Sequence, residues 1–529
     1  MSASSQKKLR KESETVKLTE KQLTAQREAK KLNLYTTLFV AVMVVLLVVA
    51  VTVGVTQAIT NTGMREKSTV AMTVGDHKIN NVEMNYFYMD AVNTFYSQYG
   101  SYAAMFGLDP SLPLNEQVVD ETTGLTWADD FLSSAKENAK TVYALKDAAD
   151  AAGFALSEEK KASMDSELAS LDLYATMYGY PNADAYLKAF YGNGASVKSY
   201  SEYSELRLLA DAYYSHYSES LTYDAAALDA AEAENPGAYT SYTYQSYYMP
   251  VSKFADAAAA EEAAKSLTAA EISSVEALDA AIAALEINKD TEAKSTAYAD
   301  TLYSSVNGSY AEWMADSNRK EGDMSYFASE STSTAEDGTE TTETVGYYVV
   351  YYIGSNDNEF PLANVRHILV TPEHSHEEGE EHAEGETYSD EEMAAAKATA
   401  EEILKEWKSG AATEESFAEL ANAKSADGDG TTGGLYENVY PGQMVTNFND
   451  WCFDDARKSG DTDIVESSYG YHVMYYVGDS EVSYRDYQIE TELRTADVNE
   501  WYASVIDGAA TTDGDTKFLK MDLVLSPAA

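Results

Sequence analysis

Gly470-Tyr-His-Val-Met-Tyr-Tyr-Val-Gly478 has a near twin earlier in the chain, Gly346-Tyr-Tyr-Val-Val-Tyr-Tyr-Ile-Gly354. Each is a short β-branched and aromatic run closed by glycine at both ends, which reads as a strand. The likeness extends outward. Glu312-Trp-Met-Ala-Asp-Ser-Asn-Arg-Lys-Glu-Gly-Asp323 matches Asp450-Trp-Cys-Phe-Asp-Asp-Ala-Arg-Lys-Ser-Gly-Asp461, and Tyr244-Gln-Ser-Tyr-Tyr-Met249 lies against Val365-Arg-His-Ile-Leu-Val370. An internal repeat of this length means two copies of one domain, about 238–357 and 361–480. Each copy begins and ends with a strand and has alanine-rich helical sequence between, an α+β pattern.

The copies differ where chemistry can lie. The second has His367 in its first strand and His472 in its last, where the first has Ser246 and Tyr348. A histidine pair present in one copy and absent from the other is not needed for folding. A lone strand histidine is usually a satisfied core residue, so the case rests on both positions together.

The second copy resembles the parvulin family of peptidyl-prolyl isomerases over nearly its whole length. The matching stretches are Val365–Val370, the helical sequence near 389–408, Ser416-Phe-Ala-Glu-Leu-Ala421 and Ser425-Ala-Asp427. They continue with Gly433-Gly434-Leu435, Pro441-Gly-Gln-Met444 with Phe448, and Gly470-Tyr-His472. The resemblance implies that His367, Asp427 and His472 are catalytic, with the two histidines meeting on adjacent strands. It implies that Leu435, Met444 and Phe448 line an apolar pocket for the prolyl ring, with Ser467 or Tyr469 at its rim. Asp427, within Ser-Ala-Asp-Gly-Asp-Gly, also reads as a turn residue, and Met444 with Phe448 as core. The family's Gly-Gly-Asp-Leu-Gly is here Gly433-Gly434-Leu435-Tyr436, a departure that touches one pocket wall. No cofactor or metal is required, because rotation about an Xaa-Pro bond needs only preferential binding of the twisted amide.

Residues 38–55 form one uncharged apolar run, and 18 helical residues rise about 27 Å, close to the hydrocarbon thickness of a bilayer. Nine Lys/Arg against four Glu in 1–33 make a basic flank that is expected to stay cytoplasmic. The expectation is a tail at 1–33, a transmembrane signal anchor at 34–60 in the cell membrane, and an extracytoplasmic bulk; a cleaved signal peptide is the rival. The net charge of −51 then belongs to the exported part and disfavours nucleic acid. Cys452 is the only cysteine, so no intrachain disulfide forms. Tyrosine numbers 41 against 14 Phe and 5 Trp, which suits surfaces that hold extended polypeptide and equally a plain compositional bias.

In 69–235, Thr69–Val74 alternates as a strand, Gly75-Asp76 is a turn, and Asn80 with Glu83 reads as a capping box. This strand-turn-helix, followed by helices carrying Ala151-Ala-Gly-Phe-Ala-Leu-Ser-Glu-Glu159, resembles the chaperone domain of PrsA and SurA foldases. Its clustered rings, Tyr86, Phe87, Tyr88, Phe95, Tyr96 and Tyr102, then Tyr174, Tyr178, Tyr180 and Tyr186, are candidates for a cleft that grips unfolded chain. The loop Glu373–His382 carries His374, His376 and His382 among carboxylates and reads as a solvated acidic loop, with transition-metal binding as the alternative. The acidity of this region runs on through Asp390-Glu391-Glu392, which disfavours phosphorylated substrates. Residues 481–529 are expected to supply a helix around 485–506 and a final strand, Phe518–Leu525. The expected partners are unfolded or newly secreted polypeptides with Xaa-Pro bonds. A non-catalytic holdase is the rival to a membrane-anchored isomerase.

Overall fold

The computed structural model describes residues 20–334, 339–373, 388–428 and 430–521. The chain divides into two compact units, one built from residues up to 220 together with 498 onward, the other from 221–497.

In the first unit, helix α1 (Glu20–Asn61) contains the apolar run, with side chains such as Leu38, Phe39 and Leu47 exposed. Among the described residues no helix is long and apolar enough to cross a membrane. Side chains at 32–36 and 56–59 lie outside the described residues. Strands β1 (Val70–Val74) and β2 (His77–Asn80) form the expected hairpin, with Gly75 at φ 53 in its turn. Asn80 caps helix α2 (Asn81–Tyr99) by accepting from the Val82 and Glu83 amides at 2.9 and 3.1 Å. Only half of the expected capping box forms, because the Glu83 carboxylate accepts instead from the Tyr143 hydroxyl on helix α3 (Trp127–Ala152).

Tyr86, Phe87 and Tyr88 are fully buried. Tyr86 packs on Tyr191, and on Tyr200 and Tyr203 of helix α4 (Val197–Ser220), so its ring belongs to the core and also borders a cavity of this unit. Tyr102, Tyr174 and Tyr178 are exposed.

The second unit holds two antiparallel four-stranded sheets of the same order. The first runs β4 (Thr296–Leu302), β3 (Ser241–Pro250), β6 (Glu340–Asn356), β5 (Met324–Thr334), with helices α5 (Ala257–Ala269), α6 (Val275–Ala283) and α7 (Ala311–Met314). The second runs β8 (Leu435–Val439), β7 (Pro361–Val370), β10 (Gly470–Ser483), β9 (Thr462–Ser467), with α8 (Asp390–Ser409), α9 (Glu414–Lys424) and α10 (Thr446–Cys452). The period-two alternation of strands decides which face each residue takes. Ile368, Tyr471, Val473 and Tyr475 pack with α8 and α9, whereas Val365, Met474 and Tyr476 pack with Phe448 and Trp451 of α10. His367 and His472 share the phase of Val365 and Met474 and therefore face α10.

Both sheets repeat one corner. Arg319 lies 4.1 Å over the Trp313 ring and Arg457 4.0 Å over Trp451, each arginine Nε donating to that tryptophan's carbonyl at 3.2 and 2.9 Å. The amides of Gly322 and Gly460 donate to Tyr352 and Tyr476 at 2.9 and 2.8 Å.

Helix α11 (Tyr484–Gly508) carries the chain on from the second sheet, as expected. The returning strand is β11 (Thr511–Asp513), which pairs antiparallel with β1 and sets Met72 against Asp513. The expected strand at 518–525 is corrected. Leu519 and Met521 pack on the first unit's core as side-chain anchors, no strand forms at 518–521, and 522–525 lie outside the described residues.

Candidate active site

The site is built by strand register. β7 and β10 pair so that Leu369 opposes His472 and Met474 opposes His367, which brings the histidines diagonally together on one face. Their Nδ1 atoms are 3.1 Å apart. The chain leaving α9 is stitched to β7: the Ser425 hydroxyl accepts from the Leu369 amide at 3.1 Å, and the Ala426 amide donates to the Leu369 carbonyl at 2.9 Å. That fixes Asp427 with its Oδ2 at 3.0 Å from His367 Nε2, so it is more than a turn residue. The Tyr436 hydroxyl donates to the same Oδ2 at 2.8 Å. At the other end, His472 Nε2 is 2.7 Å from the Ser467 hydroxyl.

The charge states follow from burial. His367 and His472 are 3% and 5% exposed. Burial lowers the pKa of His367 against the opposing pull of Asp427, and burial with the neighbouring His367 brings His472 down to about 4. Both rings are therefore neutral near pH 7. Burial pushes the Asp427 carboxyl up, but the Tyr436 hydrogen bond and His367 outweigh it, and the net shift is downward. Tyr436 is pushed up to about 12 by burial and by Asp427, and it keeps its proton.

These states assign every proton. A carboxylate only accepts, so His367 donates from Nε2 and its Nδ1 is bare. His472 must then donate from Nδ1, which leaves its Nε2 to accept from the Ser467 hydroxyl. The result is a one-way chain, Ser467 to His472 to His367 to Asp427, ending on a negative charge.

Above this floor lies a cavity of about 290 Å³ lined by His367, Leu369, Asp427, Tyr436, Gln443, Met444, Val445, Phe448, Tyr469 and His472. Phe448 stands edge-on to both imidazoles at 5.3 Å, and Tyr469, 61% exposed, marks the rim. Met444, Phe448 and Tyr469 line this cavity, and Ser467 sits behind His472. Leu435 does not line the cavity; its neighbour Tyr436 does. Gly433 and Gly434 both take positive φ, 66 and 64, and deliver the chain to β8 in the phase that turns Tyr436 inward. The alternation after that double turn is the signal that sequence reading missed, along with Leu369, Gln443 and Val445.

The first sheet has the same register, with Tyr248 opposite Tyr348 and Ser246 opposite Val350. In place of Phe448 it has Tyr310, 3% exposed and hydrogen-bonded to Ser246. The rings of Tyr248 and Tyr310 lie 4.8 and 5.5 Å from that of Tyr348, so tyrosines cluster where the second sheet has its histidine floor.

A roomier cavity of about 590 Å³ in the first unit mixes Lys67, Lys146 and Lys198 with Glu83 and Glu202, beside Val82, Tyr86, Tyr143 and Leu206. Among the described residues no group of three His, Cys, Asp or Glu is placed to hold a metal ion. His374, His376 and His382 lie outside the described residues.

Residues 348–478 match the family model of the PPIC-type PPIase domain, and this part of the chain is a parvulin-type peptidyl-prolyl cis–trans isomerase domain. The match starts inside β6, ahead of the 361 expected from sequence. Similar solved structures include the peptidylprolyl isomerase PrsA of Bacillus cereus, at 26% identity over 28% of this chain and 49% of that one, with a TM-score of 0.18. They also include PrsA of Bacillus subtilis, at 15% identity over 75% and 93%, with a TM-score of 0.27. The chain spans about half the length of the first of these. No curated protein matches it.

Proposed function

We propose that the chain catalyses cis–trans isomerisation of unphosphorylated Xaa-Pro bonds in exported polypeptides, at the cavity over His367 and His472. The observation that carries this reading is the cavity itself: apolar on the Met444, Val445 and Phe448 side, floored by two neutral imidazoles, and with one carboxylate in its wall. Its volume falls at the lower edge of the roughly 300–1,000 Å³ of small-ligand sites, a size for one ring.

The physics suits those residues. The planar amide resists rotation with a barrier of about 18–20 kcal/mol because the nitrogen lone pair is shared with the carbonyl. Twisting returns that pair to nitrogen and removes negative charge from oxygen. A site that seats the ring, keeps water off the carbonyl and sets the Asp427 charge near it binds the twisted form better than either planar one. A thousandfold gain needs about 4 kcal/mol, within reach of a few such contacts. Neutral histidines serve this role, since a charged floor would hold water in the cavity.

The surrounding assignments belong to the same proposal. The two sheets are copies of one domain, the first catalytically silent. The apolar run 38–55 with its basic flank anchors the chain in a membrane, bulk outward. The exposed rings of 69–235, Tyr102, Tyr174 and Tyr178, hold unfolded chain weakly while net negative charge keeps the complex soluble. NMR exchange spectroscopy on an unphosphorylated Xaa-Pro peptide with the full chain tests the central reading. Line broadening that scales with enzyme supports it; uncatalysed exchange with peptide still bound supports the holdase instead.

A further inference from the structure

We infer that Tyr436 is the positioning residue of this site: its hydroxyl joins His367 Nε2 on Asp427 Oδ2, and this second donor fixes the orientation of the carboxylate in the cavity wall. The inference rests on the isomerase reading and adds a part to it.

The geometry is specific. Two donors converge on one oxygen, Tyr436 at 2.8 Å from β8 and His367 Nε2 at 3.0 Å from β7. Without the phenol the carboxylate would hang from a loop, held by His367 and the Gly428 amide alone. The backbone of Asp427 is held by its amide's bond to the Ser425 hydroxyl at 3.2 Å, so the phenol acts on the side chain alone. The Tyr436 ring also lies 5.1 Å from His367, so one side chain forms a wall of the cavity and holds its charge. Tyr436 stands directly after Leu435, and Gly433 and Gly434, both at positive φ, set the phase that turns it to the cavity.

The titratable groups facing Asp427 are Tyr436 from β8, His367 from β7 and, beyond it, His472 from β10. A hydrogen bond to the charged form favours that form. Removing the hydroxyl therefore makes Asp427 easier to protonate, and a protonated Asp427 no longer anchors the proton chain from Ser467.

The test is Tyr436→Phe in the full chain, with two readouts. Carbon-13 titration of the Asp427 carboxyl should move to higher pH in the variant, and Tyr436→Leu, which also keeps an apolar wall, should move it likewise. The acid limb of kcat/KM should follow, with activity near pH 4–5 falling about three- to tenfold further than activity near pH 8. A tyrosine that only packs would scale the profile evenly, and an unmoved carboxyl titration in both variants overturns the clamp. Absence of turnover in the parent chain would sink the isomerase reading, while the carboxyl titration would still decide the clamp.

Discussion

The two sheets of the second unit share strand order, register and the Arg-over-Trp corner, yet one carries a cavity where the other brings tyrosine rings together. The difference comes down to a few side chains on one face. His367, Leu369, Phe448 and His472 leave room above them; Ser246, Tyr248, Tyr310 and Tyr348 bring three rings together in the same place. Aromatic burial stabilises a sheet face at little conformational cost, so filling the space is the favoured outcome wherever no function keeps it open. The cavity in the second sheet is thus a feature maintained against the packing tendency, and it sits over buried polar groups that need partners. What separates the two sheets is the candidate site, and what they share is the scaffold.

The largest expected effect is on backbone geometry unique to the second sheet. Gly434 has φ 64, and a Cβ there would collide with the His367 carbonyl oxygen, which lies in the β7 backbone. Gly434→Ala should cost the second sheet at least about 3 kcal/mol. Thr296, paired with Ser246 in the first sheet, is exposed, and Thr296→Ala should cost less than about 0.5 kcal/mol. Amide exchange of β7 and β3 in the full chain measures both; equal costs would remove the glycine from the comparison.

Next comes acidity. The folded second sheet holds both histidines neutral, His472 with a pKa of about 4, whereas an unfolded histidine titrates near 6.5. From about pH 4 to 6.5 the unfolded chain binds more protons, so stability rises with pH across that window and is lost as pH falls. The contribution is on the order of 2 kcal/mol. The first sheet has Ser246 and Tyr348 in those positions and should lack that slope. Urea unfolding read from NMR signals of each sheet, near pH 4.5 and pH 7, compares them; parallel shifts would contradict the neutral-pair assignment.

The smallest effect concerns what the copies share. Arg319→Met and Arg457→Met each remove a cation from a tryptophan face and a hydrogen bond to its carbonyl, and each should cost about 1 kcal/mol. The two costs should agree within about 0.5 kcal/mol, by the same amide-exchange measurement. A marked inequality would mean that the shared corner is not equivalent in the two sheets.

Much of this was legible in the sequence because strands write a period of two. The Gly470–Gly478 run and its twin locate the central strands, and two histidines in the same phase as Val365 and Met474 had to share a face. Asn80 as a helix cap was legible for a similar reason, being decided within four residues. Other features depend on contacts far along the chain. Glu83 left its capping box for Tyr143 on another helix, and Tyr86 and Phe87 pack on rings such as Tyr203, with Tyr88 against Phe131, all far along the chain. Leu435 was named in place of Tyr436 because two successive glycines at positive φ reset the alternation, and nothing in their identity says by how much. The returning strand fell at 511–513, where β1 offers a free edge, although the apolar pattern at 518–525 looked more strand-like.

The central claim is that an open histidine-floored cavity makes the second sheet the active one. The direct measurement is the full chain's catalysis of Xaa-Pro exchange before and after giving that sheet the first sheet's residues, Leu369→Tyr with His472→Tyr, while amide exchange in β7 and β10 confirms that the sheet is still formed. Leu369→Tyr alone keeps both histidines and should lower the rate in proportion to the space it fills. The double variant should fall to the uncatalysed rate. Exchange catalysed as fast as by the parent chain, with the sheet intact and the cavity filled, would show that turnover does not occur there.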